Sequence, residues 1–281
     1  MIKHLLIIMV CSAFTANYVI ADEDIDMSSP TEAYTALGTG IGNKGMNLKA
    51  MYMLSDPGAT RKTGFILEMN DMTDEEGGDP KFAGSASGMS DEVTNTNYRF
   101  RYGSLNTDNG LGWTLDAVFK DHPFFGQMSV IQAGPLATLP VNKNTFLWPV
   151  LLIGGVITED NSHKLAEAKA QADTTGATQQ SLNTSSNGVD IASLITSFKM
   201  YGRYKFSDDW WFLGAYTYTQ SILGKSWSDD VADSGLGIRD DQIELTLGYQ
   251  VTQTQNLRFN FHRLSENESD DKIWVEYLYA F

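Results

Sequence analysis

The last nine residues, Ile273-Trp274-Val275-Glu276-Tyr277-Leu278-Tyr279-Ala280-Phe281, constrain this chain more than any other stretch. Side chains of a strand alternate between two faces, so Ile273, Val275, Tyr277, Tyr279 and Phe281 share one side and Glu276 falls on the other. The first side is wholly apolar or aromatic, and the chain ends on it. A strand in water gains little from closing on an aromatic residue, because its terminus frays. A strand that closes a barrel in lipid gains an interfacial anchor there.

This segment resembles the C-terminal signature of Gram-negative outer-membrane β-barrel proteins, a class in which a terminal Phe after alternating apolar residues marks the strand read by the barrel-assembly machinery. The resemblance implies an all-β fold: a transmembrane antiparallel up-and-down barrel in the bacterial outer membrane. It also implies that Tyr277, Tyr279 and Phe281 belong to the assembly signal. It is specific for the class and silent about any one family.

Residues 1–21 read as a secretory signal peptide, with a polar start at Lys3 and His4, an apolar core over Leu5 to Val10, and Ala21 at the cut before Asp22. The remaining 22–281 reads as a single barrel domain. Cys11 is the only cysteine, so the mature chain is expected to form no disulfide. Removing Lys3 takes the formal charge from −15 to −16, a balance that disfavours nucleic acid as a partner because phosphate is repelled. No mature apolar run reaches the eighteen or so residues that a spanning helix needs. Any membrane crossing therefore falls to strands.

Candidate strands lie near 32–41, 46–54, 62–70, 95–104, 110–119, 125–134, 145–156, 192–206, 209–220, 238–250, 256–264 and 273–281. About twelve is an even number, as a single-chain bacterial barrel with both termini in the periplasm requires. The first strand is weakened by Gly38, Gly40 and Gly42, and a recount would give ten or fourteen. Short links with turn chemistry, such as Asn106 to Gly110 and Ser207-Asp208-Asp209, alternate with long ones near 71–93, 157–191, 221–237 and 265–272. Aromatic residues near the strand ends, Trp148, Trp210, Tyr249 and Phe281, predict a periplasmic girdle. Trp148 to Ile153 is apolar on both faces, so one of its faces must pack against something inside the barrel. Within 157–191, residues 163–172 have helical propensity.

Alternation also sorts the charges. By parity Lys49, Glu68, Arg99, Arg101, Asp116, Lys199, Arg203, Lys205, Glu244, Arg258 and Glu276 point inward, with Tyr201 and His262 on the same face. Arg99 and Arg101 lie between the strands of Glu68 and Asp116, and Arg258 lies beside that of Glu276. Lys199, Arg203 and Lys205 have no acid on either neighbouring strand, which predicts an unpaired basic stripe and a modest preference for anions. On strand number and lumen charge alone, this resembles the small porins that pass acidic sugars.

Catalysis finds no support in the pattern. Lipid-hydrolysing barrels need a nucleophile and base in reach, but His262 and Ser265 are three apart and fall on opposite faces of a strand. His122 has no adjacent serine, and His163 sits in a polar loop. Neither a metal site nor a cofactor site is predicted. The acidic groups Asp71/Asp74/Glu75/Glu76/Asp79, Asp229/Asp230/Asp233 and Glu266/Glu268/Asp270/Asp271 are placed in outer loops, where they keep the loops solvated or bridge loosely to lipopolysaccharide through divalent cations. The sequence-level expectation is a channel or porin-like protein passing small polar solutes through a narrow lumen. The alternative is a surface receptor, adhesion or structural role for the acidic loops.

Overall fold

The computed structural model describes residues 26–29, 31, 34–43, 45–56, 58–72, 96–122, 126–159, 189–224, 239–264 and 271–281. The expected signal segment, residues 163–172 with their helical propensity, Ser265 and most of the acidic loop residues lie outside these.

Thirteen strands form among the described residues: β1 (Ala36–Gly42), β2 (Gly45–Met53), β3 (Arg61–Asn70), β4 (Asn97–Asn106), β5 (Leu111–His122), β6 (Gly126–Ala137), β7 (Leu139–Asn142), β8 (Thr145–Glu159), β9 (Val189–Lys205), β10 (Trp210–Gly224), β11 (Arg239–Thr252), β12 (Gln255–Leu264) and β13 (Lys272–Ala280). Apart from β6 and β7, strands adjacent in sequence pair antiparallel, β1 pairs with β13, and β8 takes both β6 and β7. The sheet therefore closes. Because β6 and β7 continue one another across Thr138, the ring has twelve wall positions. Closure satisfies the edge groups that an open sheet exposes.

All twelve expected strands form, and the sixth runs further than expected, to Asn142 rather than 134. Pro135 lies within β6 opposite Trp113, and Pro140 within β7 opposite Phe146. The ladder along β8 passes from Leu136↔Val150 to Leu139↔Leu147, so Pro149 faces the interruption on that side. A missing donor is tolerated at such a point.

The glycines of β1 have a steric reason. The inward positions of β1 are Ala36, Gly38, Gly40 and Gly42, and the inward side chains of β13 lie over them. A Cβ on Gly38 would meet Leu278 Cδ1 at 2.5 Å, and one on Gly42 would meet Trp274 Cβ at 2.5 Å. A bare inner face on the first strand lets the last strand close over it.

The two faces are sorted as the alternation predicts. On β13, Ile273, Val275, Tyr277 and Tyr279 are exposed, as is Phe281 just beyond it, whereas Glu276, Leu278 and Ala280 are buried. Leu111, Trp113 and Phe119 on β5, Leu151 and Ile153 on β8, and Ile243 and Leu247 on β11 continue the exposed apolar belt. A belt this extensive is the surface that a lipid environment would cover. At the end of the barrel that holds Phe281 and the short turns, outward rings pack together. Phe206 and Trp210 stack at 6.3 Å, Trp210 meets Tyr249 at 4.6 Å, and Tyr279 meets Phe281 edge-on at 5.0 Å. Trp148 is a correction to the expected girdle. It is only 2 % exposed and lines the interior, because even-numbered residues of β8 share the inward face with Val150 and Leu152.

Candidate functional site

The interior is a chain of ion pairs built from inward positions of several strands. β4 supplies Arg99 and Arg101, with β3 and β5 on either side. Arg99 Nε donates to Asp116 Oδ1 at 2.9 Å and its Nη2 to Oδ2 at 2.6 Å, while Arg101 Nη2 donates to Glu68 Oε1 at 2.8 Å. Lys49 Nζ donates to Glu276 Oε2 at 2.8 Å and lies 3.4 Å from Glu68. Arg258 stands 3.7 Å from Glu276. The Arg99–Asp116, Arg101–Glu68 and Arg258–Glu276 contacts are the neighbour-strand pairs expected from strand order, whereas Lys49 on β2 reaches Glu276 on β13 across β1. Two-pronged guanidinium–carboxylate contacts such as Arg99–Asp116 are directional as well as strong.

The unpaired basic stripe does not exist in the form predicted. Lys199 Nζ donates to Asp116 Oδ2 at 2.8 Å, reaching past β8 and β6 to an acid on β5. Arg203 Nη1 donates to Asp26 Oδ2 at 2.6 Å and to Ser28 Oγ at 2.8 Å, and Lys205 lies 3.5 Å from Asp26. The missing acids come from across the lumen and from the segment that precedes the first strand. Considering only adjacent strands could find neither.

That segment enters the barrel from the end that holds Phe281, whose N–H donates to the Thr35 carbonyl at 2.9 Å. Met27 and Ser28 are buried, as is Tyr34, and Met27, Tyr34, Ala36, Leu278 and Ala280 form one apolar cluster. Arg258 Nη2 donates to the Met27 carbonyl at 2.9 Å and to Tyr34 Oη at 3.2 Å. Burial alone raises the pKa of Asp26, but the Ser28 hydroxyl, Arg203 and Lys205 together hold its carboxyl below the usual carboxylate range. Burial pushes the Tyr34 phenol above its ordinary value. Asp26, Met27 and Tyr34 were missed by the sequence reading. Met27 and Tyr34, large side chains in a mostly polar run, are the cue.

Among the described residues, two adjoining spaces lie inside the ring, with Tyr34, Met51, Ile66, Arg101 and Tyr201 bordering both. The larger, of about 420 Å³, opens toward the long-loop end between Lys49, Glu68, Arg99, Lys120, Glu244 and His262, with Met27 and Ser28 at its floor. The smaller, of about 180 Å³, lies between β3, β4, β5 and β8 and is bordered by Thr31 and Tyr34 of the N-terminal segment. Together they are lined by eight Lys and Arg and four Asp and Glu, so these linings hold more basic than acidic side chains although the chain as a whole is acidic.

Two loop acids behave differently from expectation. Asp71 is buried, sits at φ 60, and pairs with Lys272, while Asn97 Nδ2 donates to it at 3.0 Å. It braces the rim rather than solvating a loop. Asp271 receives Arg263 Nη2 at 2.6 Å, and that hydrogen bond lowers its pKa. His262 Nε2 lies 3.4 Å from Gln242 Oε1 inside the lumen. Among the described residues no group of His, Cys, Asp and Glu is placed to hold a metal ion.

No protein-family model matches this chain, and no curated protein matches its sequence. Solved structures with similar folds include the NanC porin (8 % identity, 88 % of this chain and 98 % of that one, TM-score 0.47). The KdgM porin is 6 % identical over 88 % of this chain and 98 % of its own, with TM-score 0.42. An outer-membrane channel from Pseudomonas putida F1 is 10 % identical over 92 % of this chain and all of that one, with TM-score 0.49. The closed twelve-position ring, its apolar outer belt and its ring of aromatic residues give this chain the build of an outer-membrane β-barrel protein.

Proposed function

We propose that this chain is a non-enzymatic outer-membrane channel that passes small polar solutes, anions in preference, through a narrow lumen. The observation that carries this reading is the pair of interior spaces lined by basic residues in excess of acids, inside a wall whose outer face is apolar. A fixed charge about 4 Å from an ion is worth roughly 4 kcal/mol at an effective dielectric near 20, before desolvation is counted against it. The ion pairs reduce that field without cancelling it. The short-turn end, where the N-terminal segment enters, faces the periplasm, and the long links face outside, where they meet lipopolysaccharide. The barrel-assembly machinery reads the strand ending in Phe281.

The purified protein in liposomes tests this. Swelling in small neutral or anionic solutes, at rates that fall steeply with solute size, is the expected result. Absence of both swelling and conductance would reject the channel in favour of a receptor or structural role.

A further inference from the structure

Among the described residues, four of the seven buried side-chain polar atoms that lack a hydrogen-bond partner lie where the N-terminal segment docks. They are Arg203 Nε, Arg258 Nε and both amide atoms of Asn256. The two guanidinium groups hold the segment through other atoms. Arg203 uses Nη1 on Asp26 and Ser28, and Arg258 uses Nη2 on the Met27 carbonyl and Tyr34. Asn256 stands between Gln250 and Leu278 in the ladders, so these three side chains share one inner face. Gln250 Nε2 donates to Met27 Sδ at 3.3 Å, and Leu278 packs in one cluster with Met27. Met27 therefore lies across Asn256, which is wholly buried. Buried polar atoms without partners cost stability that water restores once they are exposed. The docked segment is thus held by some contacts and opposed by others, which suits a segment that leaves.

Its ionic contact shows what takes its place. Asp26 Oδ2 accepts from Arg203 at 2.6 Å, and Lys205 stands 3.5 Å from Oδ1. Arg203 is 5 % exposed and its guanidinium lies 4.8 Å from the centre of the Phe146 ring, so its position is fixed by the wall. Among the described residues no strand supplies an acid to either cation, and both pair with Asp26. The chain itself therefore sets a carboxylate on a cationic pair that the wall leaves uncompensated. The Asp26 side chain keeps 32 % of its surface exposed, which gives a competing ion access to the contact. A carboxylate can match two oxygens to a guanidinium fork, and chloride cannot.

We propose that Arg203 and Lys205 form a binding site for the carboxylate of an anionic solute, that Asp26 occupies it as a tethered stand-in, and that a solute carboxylate releases the segment by competition. The inference rests on the channel reading only in taking the lumen to be reached from solution.

The test follows the burial of position 27 in the detergent-solubilised mature chain. Cys11 is the only cysteine and falls in the expected signal segment, so Met27→Cys gives a single labelling position. A water-soluble maleimide is applied in potassium chloride or potassium acetate at equal ionic strength. Labelling should be slow in chloride and should rise in proportion to the released population as acetate is added, about threefold or more over the usable range. Equal rates in the two salts, or fast labelling in chloride, overturn the proposal. With Arg203→Gln in the same chain the acetate response should vanish, and a response that survives overturns the site. Should Met27→Cys lack heat-modifiable gel mobility, hydrogen exchange of residues 26–34 in the parent decides: faster exchange in acetate supports the proposal, and equal exchange overturns it. Neither readout needs a current. An acetate response without chloride conductance in bilayers supports the site and overturns the channel reading, whereas conductance without a response does the reverse.

Discussion

Lys199 on β9 donates to Asp116 on β5 across 2.8 Å, although two wall positions stand between their strands. Strands are spaced about 4.8 Å apart, so the two backbones are separated by roughly 14 Å of wall. The contact is a chord through the interior, and it can form only where the barrel is narrow. With Arg99 bound to the same carboxylate, Asp116 ties two walls together at the level where the smaller cavity lies.

Replacing Asp116 with Asn should therefore lower stability and strengthen anion preference together. Asp116 is 6 % exposed, and removing one partner of a buried ion pair costs about 3–5 kcal/mol. Denaturant unfolding of the folded barrel in detergent measures the first effect, and reversal potential the second. Unchanged values of both would remove Asp116 from its bracing position.

The N-terminal segment is expected to restrict flow. Deleting residues 26–33, or replacing Arg203 with Ala, should raise single-channel conductance severalfold, because the floor under the larger space is removed or loosened. Conductance unchanged in both variants would place the flow path elsewhere.

Acid should undo the same contact. Asp26 has its pKa lowered from the ordinary 3.8, so its contribution to docking is fully present above that value and is lost as pH falls through the lowered one. The groups facing it are Arg203, Lys205 and the Ser28 hydroxyl. Conductance should stay level from neutral pH to about 4 and rise below it. A rise centred near neutral pH would implicate another group, and Asp26→Asn should abolish the acid response.

Replacing Phe281 with Asp should impair assembly more than conductance. Phe281 is exposed on the outer face and packs edge-on against Tyr279. A charge near the interface costs up to about 1 kcal/mol, too little to unfold a closed barrel but enough to spoil an assembly signal. Outer-membrane levels of the variant and its heat-modifiable mobility report the two effects separately.

Strand positions and faces were legible because both depend on local alternation and on the need to bury or expose alternate residues. Tyr277, Tyr279 and Phe281 fall outside, and Arg99, Arg101 and Glu276 inside, as a two-residue period demands. Contacts that jump across the interior were not legible. The partner of Lys199 depends on barrel radius and side-chain reach, and the partner of Arg203 depends on where the chain before β1 folds back. Gly248 shows the same limit. It lies bare because the Trp211 ring covers it, with a Cβ there placed 2.1 Å from Trp211 Cε2. The sequence alone shows only a glycine in a strand.

The most direct measurement of the central claim is the reversal potential of the single channel across a salt gradient, with parent protein and the 26–33 deletion side by side. The lumen lining predicts a reversal potential of the sign for anion preference in both, with larger current in the deletion. Cation preference in the parent, or no current from either, would contradict it.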